Sequence, residues 1–414
     1  MKILELPAYF YPESMSSSHL DDNLREAIAK AGIDMAIYCP TPTRGITLEV
    51  RKEYKRKKQE KMYDGHATVH RFSLYGEGKN PVLRALRYTL ACIMQFNRAV
   101  FAKDARECDL MFITSTPPIK GAMAGLAKKF NCKPIIYELQ DIFPDSLAGS
   151  GLAKKGGLLW RIGRVIENFT YKNADKIIVI SEDFKKNIIA KGVPEEKIEV
   201  IYNWVDEKAV QPVGKDNNPL FEEFGLSRDK FTIVYAGNLG NAQNIGIIVD
   251  AAKQLPDIQF ALFGTGGLEE ELKTQIANEQ LANIHLNPLQ PFEKVSQVYS
   301  LGDACIVSCK AGLGGSAMPS KTWTIMSCGR PVVANFDEGD LKDILENNQC
   351  GVFSHAGNVQ EFVNAIKALQ ENPEQCKEMG SNARQFILDN LTKEVGTRKY
   401  VDVIRSFEKN IIEI

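Results

Sequence analysis

The 414-residue chain has no uninterrupted apolar run approaching the about 20 residues that span a bilayer, so a membrane-crossing segment is not expected. Its opening, MKILELPAYFYPE, carries one lysine and an apolar stretch too short for a signal peptide, which argues against export and for the cytoplasm. Excess charge of either sign is missing as well: 51 basic and 52 acidic residues leave a net charge of −1, without the basic balance of a general nucleic-acid binder. The nine cysteines form no framework, being odd in number and scattered, and Cys39, Cys305 and Cys309 sit in apolar strand-like runs that suit buried thiols in a reducing compartment. Cys305 and Cys309 lack a second pair to complete a metal site, and no metal is expected. A GxGxxG loop is also absent after the first strand-like segment, where serines stand instead, which argues against an NAD-dependent dehydrogenase.

What the chain does have is length for two domains of about 200 residues each and a repeated alternation. Short segments rich in Ile, Val and Phe are separated by amphipathic, helix-length stretches, the pattern of an α/β fold with parallel sheets covered on both faces. In the first half the expected strands are Lys2–Leu6, Asp34–Cys39, Ala67–Phe72, Asp109–Thr114, Lys133–Glu138, Lys176–Ile180 and Glu199–Tyr202. In the second they are Phe231–Ala236, Gln259–Phe263, Ile284–Leu286, Ala304–Val307, Pro331–Asn335 and Gly351–Phe353. Two Rossmann-like domains, 1–206 and 219–390, are expected around a cleft. The Pro- and Gly-containing stretch 207–218, EKAVQPVGKDNN, reads as the linker. From Pro373 through Lys409 the pattern is wholly helical, and 391–414 is expected to pack back on the N-terminal domain.

Two glycine-containing loops carry the chemistry. Tyr235–Gly240, YAGNLG, follows a strand and leads into a helix, so its backbone could approach an anion, although strand-ending glycines also serve ordinary turns. Gly312–Lys321, GLGGSAMPSK, joins a glycine loop, a proline suited to a helix start and a lysine in the first turn. A lysine is disfavoured at the positive end of a helix unless an anionic ligand compensates it, so these are the ingredients of a diphosphate site. The alternative is a solvated surface lysine.

The run PSKTWTIMSCGRPVVA, Pro319–Ala334, resembles the donor-binding segment of glycosyltransferase family 4, in the branch of bacterial surface-polysaccharide enzymes such as N-acetylfucosamine transferases. The FYPES loop, Gln140–Ser146, YAGNLG, the FGTG of Phe263–Gly266 and the C-terminal tail extend the resemblance over nearly the whole chain. It implies the GT-B fold, with two facing Rossmann-like domains, the donor held by the C-terminal one and the acceptor presented by the N-terminal one. By this resemblance Gly237, Asn238, Gln243, Gly264, Gly315, Ser316, Ser320 and Lys321 bind the donor, and Leu289 lies near its base, taken as uracil. Lys321 and Asp141 are the implied catalytic residues, and Ser17, Ser18 and His19 lie on the acceptor side. For Asp141 a turn-capping role, and for His19 a plain surface position, are the alternatives.

Departures from the family pattern concentrate on charge. The two acidic residues often found in the donor loop correspond to Ser316 and Thr324, the usual Arg and Lys to Asn238 and Gln243, and a common His to Gln140. Lys321 is left as the clearest cation for a leaving phosphate. The implied activity is a retaining hexosyl transfer, of an N-acetylated deoxyhexosamine, from a UDP-sugar to a polyprenyl-diphosphate-linked acceptor in O-antigen, capsule or exopolysaccharide synthesis. No cofactor or metal is expected, because N–H groups and a lysine can stabilise the leaving oxygen. The basic cluster 51–62 and the basic, amphipathic stretch 81–103 suggest peripheral docking on the inner leaflet of the plasma membrane, each cation near an anionic leaflet contributing about 1 kcal/mol. A core-packed helix with a solvated face is the alternative for 81–103. Competing functions are a non-catalytic nucleotide-sugar-binding partner of another transferase and a UDP-sugar epimerase.

Overall fold

Strands form where β-branched and aromatic residues run together, and parallel pairing buries them on both faces. The computed structural model describes residues 1–13, 18–78, 80–149 and 154–412. Its chain divides into one unit of Met1–Tyr202 with Gly396–Ile414 and another of Asn203–Val395.

In the first unit the strands are β1 (Lys2–Glu5), β2 (Asp34–Pro40), β3 (Gln59–Met62), β4 (Ala67–Phe72), β5 (Leu110–Thr114), β6 (Ile135–Leu139), β7 (Lys176–Val179) and β8 (Ile198–Val200). They order as β3-β4-β2-β1-β5-β6-β7-β8. Every segment expected as a strand in this half overlaps one. Ile3, Ile37, Ile113 and Ile136 are completely buried.

One strand was not expected. β3, with the polar sequence QEKM, pairs antiparallel to β4 at the sheet edge. The first sheet is thus parallel, as expected, except at this edge pair. The pairing also splits the basic stretch 51–62 between the Leu48–Arg56 helix and an edge strand, where charged side chains discourage edge-to-edge pairing.

The second unit repeats the plan with β9 (Thr232–Asn238), β10 (Gln259–Thr265), β11 (Ile284–Asn287), β12 (Ala304–Ser308), β13 (Val332–Phe336) and β14 (Gly351–His355), all parallel, in the order β11-β10-β9-β12-β13-β14. Residues 207–218 lie within this unit, where the Ser296 and Ser300 hydroxyls accept from the N–H groups of Gln211 and Val213. Arg384 donates to the Glu207 and Val210 carbonyls.

The helical tail is broken at Leu391–Thr392, between the helices Pro373–Asn390 and Lys393–Ile412, where Thr392 bridges to Val205 and its hydroxyl accepts from Val395 N–H. Tyr400 of the last helix is fully buried in the first unit, beside Phe112, and its hydroxyl donates to Glu138 Oε1 at 3.0 Å.

Glu138 belongs to a buried charged group at the carboxyl ends of β1, β5 and β6. Arg25 Nε meets Glu5 Oε2 at 2.9 Å, and Lys120, wholly buried, reaches Thr114 Oγ1 at 3.4 Å. Burial, then the charge of Asp21, pushes Glu138 up to about 7, while burial pushes Lys120 down to about 8. A carboxyl that stays protonated longer in the folded state than its ordinary 4.5 lowers stability as pH rises from about 4.5 to about 7. Glu138→Gln, which still accepts from Tyr400, should therefore gain stability over the wild type across that window by on the order of 3 kcal/mol and gain no more above it. Thermal melts of both proteins at pH 4.5, 6, 7 and 8 measure this, and a difference independent of pH would contradict it.

Candidate active site

In an open parallel sheet the strand order reverses at one place, and the loops leaving the carboxyl ends there diverge to leave a crevice. In the second unit this place lies between β9 and β12. Both glycine loops singled out in the sequence leave from it. They are tied together: Ser308 Oγ donates to the Gln243 carbonyl at 2.6 Å and Lys310 N–H to the Ala242 carbonyl at 2.9 Å.

Gly237, the last residue but one of β9, is glycine for a steric reason. Gly237 has φ 142°, and a Cβ there would stand 2.8 Å from Lys321 Nζ. Its neighbour in the register, Gly264, would place a Cβ 2.4 Å from the Gly237 carbonyl oxygen, so Gly264 serves the close approach of β10 to β9. Asn238 Nδ2 donates to Gln243 Oε1 at 3.3 Å. The two side chains that stand where the family has cations thus hold each other across the loop.

Lys321 begins the helix Lys321–Ser327, which is fixed from below by buried Thr322, Trp323, Ile325 and Met326, with Trp323 stacked on Phe386. The helix is only seven residues long, so the fixed charge on Lys321 outweighs a macrodipole of under two turns. Lys321 Nζ lies 4.1 Å from the centre of the Tyr235 ring, whose hydroxyl donates to the Asn238 carbonyl at 2.7 Å. No carboxylate pairs with Lys321 among the described residues, and burial alone pushes its pKa down to about 8. A cation held in this way is stabilised by any anion that enters.

The second glycine loop is organised by Asp337, just beyond β13: its Oδ2 accepts from the N–H groups of Gly312 and Gly314, both at 2.8 Å. Neither Tyr235 nor Asp337 was singled out in the sequence. Tyr235 could have been, since residues two apart in a strand share a face and Tyr235 therefore sits beside Gly237. Asp337 gives no local signal, because its partners lie more than twenty residues earlier in the chain.

The remaining sequence candidates fall variously. Gly315 is exposed in the short turn Gly314–Ser316, with open space where a Cβ would stand, and the Ser316 side chain lies outside what is described. Ser320 precedes the Lys321 helix without a side-chain cap. Leu289 is exposed in the loop after β11.

In the first unit, Ser17 lies outside the described residues, and Ser18 and the exposed His19 open the helix Ser18–Lys30. Asp141 is exposed as a residue, yet crowding of its carboxyl raises its pKa, opposed by hydrogen bonds from Ser146 and the Ile142 N–H. Both bonds stay within the turn 141–146. Gln140 is engaged too, its amide Nε2 donating to Glu138 Oε1 at 2.8 Å.

Comparison with known proteins agrees with this architecture. The family Glycosyl transferases group 1 matches residues 216–386, and the Glycosyl transferase 4-like domain matches residues 22–204. A protein of Escherichia coli K12 named as a colanic acid biosynthesis glycosyl transferase, WcaI, is 26% identical, over 98% of this chain and 100% of its own length. WbjE of Pseudomonas aeruginosa, named as a glycosyltransferase, is 24% identical over 64% of this chain and 67% of its own. Among solved structures, Anabaena HepE in complex with UDP has a TM-score of 0.72 at 19% identity, covering 98% of this chain and 100% of that one. Sucrose-phosphate synthase from Thermosynechococcus elongatus has a TM-score of 0.76 at 15% identity, covering 99% of each. With one family matching within each α/β unit and full-length likeness to such folds, the chain belongs to the GT-B glycosyltransferases of the family 4-like type.

Proposed function

We propose that this glycosyltransferase moves a hexosyl group from a UDP-sugar to a polyprenyl-diphosphate-linked acceptor, with retention of anomeric configuration, in the synthesis of a bacterial surface polysaccharide. The observation that carries the proposal is Lys321: an ammonium seated on Tyr235, against a glycine strand end, with no carboxylate of its own among the described residues. Breaking the bond between sugar and diphosphate leaves negative charge on the departing oxygen. A fixed cation in a partly dry site stabilises that charge where it develops. The acceptor hydroxyl attacks from the face the diphosphate leaves and passes its proton to the leaving phosphate, so no enzyme nucleophile is needed and the reaction runs without metal. Two names support the reading: solved HepE complexes contain UDP and UDP-glucose, and WcaI is named for colanic acid.

The acceptor reading draws on the first unit. Val82, Leu83, Leu86, Leu90 and Ile93 are exposed along the helix Pro81–Phe101, at the spacing of one helical stripe. Phe130 of Ile119–Asn131 and Leu158, Leu159 and Val165 of Leu158–Asn173 are exposed on two further helices, the second pair packed closely through Gly121 and Gly125. So much exposed apolar side chain beside Lys129 and Arg161 suits the interface of an anionic membrane. No described helix is long and apolar enough to cross one.

Two measurements test this. Because Lys321 loses its proton near pH 8 and a diphosphate favours the charged form, UDP affinity should be highest below pH 8 and fall above it, by up to about ten-fold per pH unit. Calorimetry on Lys321→Met should show weaker binding at pH 7 and no such fall; equal pH profiles would remove Lys321 from the diphosphate site. For activity, the protein is incubated in EDTA with a panel of UDP-sugars and a short polyprenyl-diphosphate sugar, and the extended lipid is weighed by mass spectrometry and its new linkage read by NMR. Wild type should form an α-configured product from an α-linked donor, and Lys321→Ala should lose about a hundred-fold or more in rate. UDP-sugar binding without turnover would favour instead a non-catalytic partner, a reading consistent with Ser316 and Thr324 in place of the acidic pair.

A further inference from the structure

The loops that leave β1, β2 and β4 bring together an unusual surplus of guanidinium groups. Glu77 has 6% of its side chain exposed, and three arginines surround it: Arg84 Nε at 3.2 Å, Arg87 Nη1 at 3.8 Å and Arg44 Nη1 at 3.9 Å. The Tyr9 hydroxyl donates to the same carboxylate at 2.7 Å. The second carboxylate nearby, Glu13, is taken up by the backbone N–H groups of Thr43 and Arg44 at 2.6 and 2.8 Å. Three guanidiniums thus face two carboxylates, which leaves one positive charge.

The three arginines divide by burial. Arg87 is spent internally, its side chain 1% exposed and donating to the Tyr75 carbonyl and Thr43 Oγ1. Arg44 and Arg84 keep 46% and 42% of their side chains exposed, and both form ion pairs with the same Glu77 oxygen, Oε1. Two guanidiniums drawn to one carboxylate oxygen, with donors left over, match the oxygens of a diphosphate better than mobile surface lysines would. Arg84 stands in the first turn of the Pro81–Phe101 helix, where the exposed stripe of Val82, Leu86 and Leu90 starts.

We propose that Arg44 and Arg84 form a subsite for the diphosphate of an isoprenoid diphosphate, with the first isoprene units lying on the stripe that begins at Val82. The inference rests on the lipid-linked acceptor proposed above and goes beyond it by assigning the residues that hold the lipid's diphosphate. An anionic group bonded directly to an apolar chain is the ligand whose two halves meet both features. Glu77 acts as the positioning residue, since it sets the separation of the two cations.

The test is direct binding of farnesyl diphosphate to the full-length protein, with UDP at saturating concentration to occupy the second unit. Wild type is compared with the double variant Arg44→Gln/Arg84→Gln, its fold checked by its melting temperature and by unchanged UDP affinity. Wild type should bind farnesyl diphosphate more tightly than inorganic diphosphate, and the variant should lose about ten-fold or more. Should the variant lose its fold or its UDP affinity, Arg84→Gln alone, which leaves Arg44 and Arg87 on Glu77, gives the same comparison with a smaller loss. Binding to phosphatidylcholine vesicles containing phosphatidylglycerol should change by less than two-fold, so an equal loss there would show that the cations serve the lipid surface and overturn the subsite. No binding by wild type, or equal binding by wild type and variant, would overturn it as well. Failure of sugar transfer with farnesyl diphosphate binding intact and dependent on Arg44 and Arg84 would instead sink the proposed reaction and leave this site standing.

Discussion

Parallel pairing is the constraint on which the rest of this molecule depends. A parallel strand needs a crossover of a dozen or more residues before its neighbour can form, so helices cover both faces and the strands lie in apolar surroundings. Polar chemistry is then confined to the loops at the strand ends. In the second unit, β9 and β10 run in register through Gly237 and Gly264 to Asn238 and Thr265, and only the missing side chains let the chains stay paired past the two glycines. The ladder therefore delivers Tyr235, Gly237 and Asn238 to the edge in fixed positions, and Lys321 arrives from a helix anchored by Trp323.

The two units use charge differently at these edges. The second holds Lys321, a buried cation without a carboxylate partner among the described residues, so its neutralisation is left to a ligand. The first is dense in pairs: Arg25 with Glu5, Lys191 with Asp145 and Glu167, and three arginines around Glu77. Buried pairs such as Arg25 and Glu5 give up hydration on both sides and contribute little net stability. They specify loop geometry instead, and where the count does not balance, as around Glu77, a surplus charge is presented to solvent.

For a glycosyltransferase whose donor loop carries Ser316 and Thr324, this distribution matters. A carboxylate in that loop would hold sugar or ribose hydroxyls strongly; neutral hydroxyls hold them more weakly. Binding strength then rests on the diphosphate end, where Lys321 stands, and the geometry of the surrounding loop rests on Asp337, which grips Gly312 and Gly314.

The periodicity of the chain by itself determined the two α/β halves, the place of nearly every strand and the glycine loops, because a strand buried on both faces must be apolar along its length and a loop of Gly, Ser and Pro between strand and helix has few other uses. The edge strand β3 escaped, since its sequence QEKM is polar and its pairing with β4 is what makes it a strand. Lys321 was legible as a cation beside glycines, whereas its seat on the Tyr235 ring was not. Asp141 read equally as a carboxylate orienting the acceptor hydroxyl or donor sugar and as a turn cap, and its bonds from Ser146 and Ile142 lie within its own turn. The convergence of Arg44, Arg84 and Arg87 on Glu77 was decided only by the tertiary structure. Sequence fixes which groups exist and how they repeat along the chain. Which charges end within 4 Å of one another depends on how separate loops leave a common sheet edge, a long-range property that no local pattern encodes.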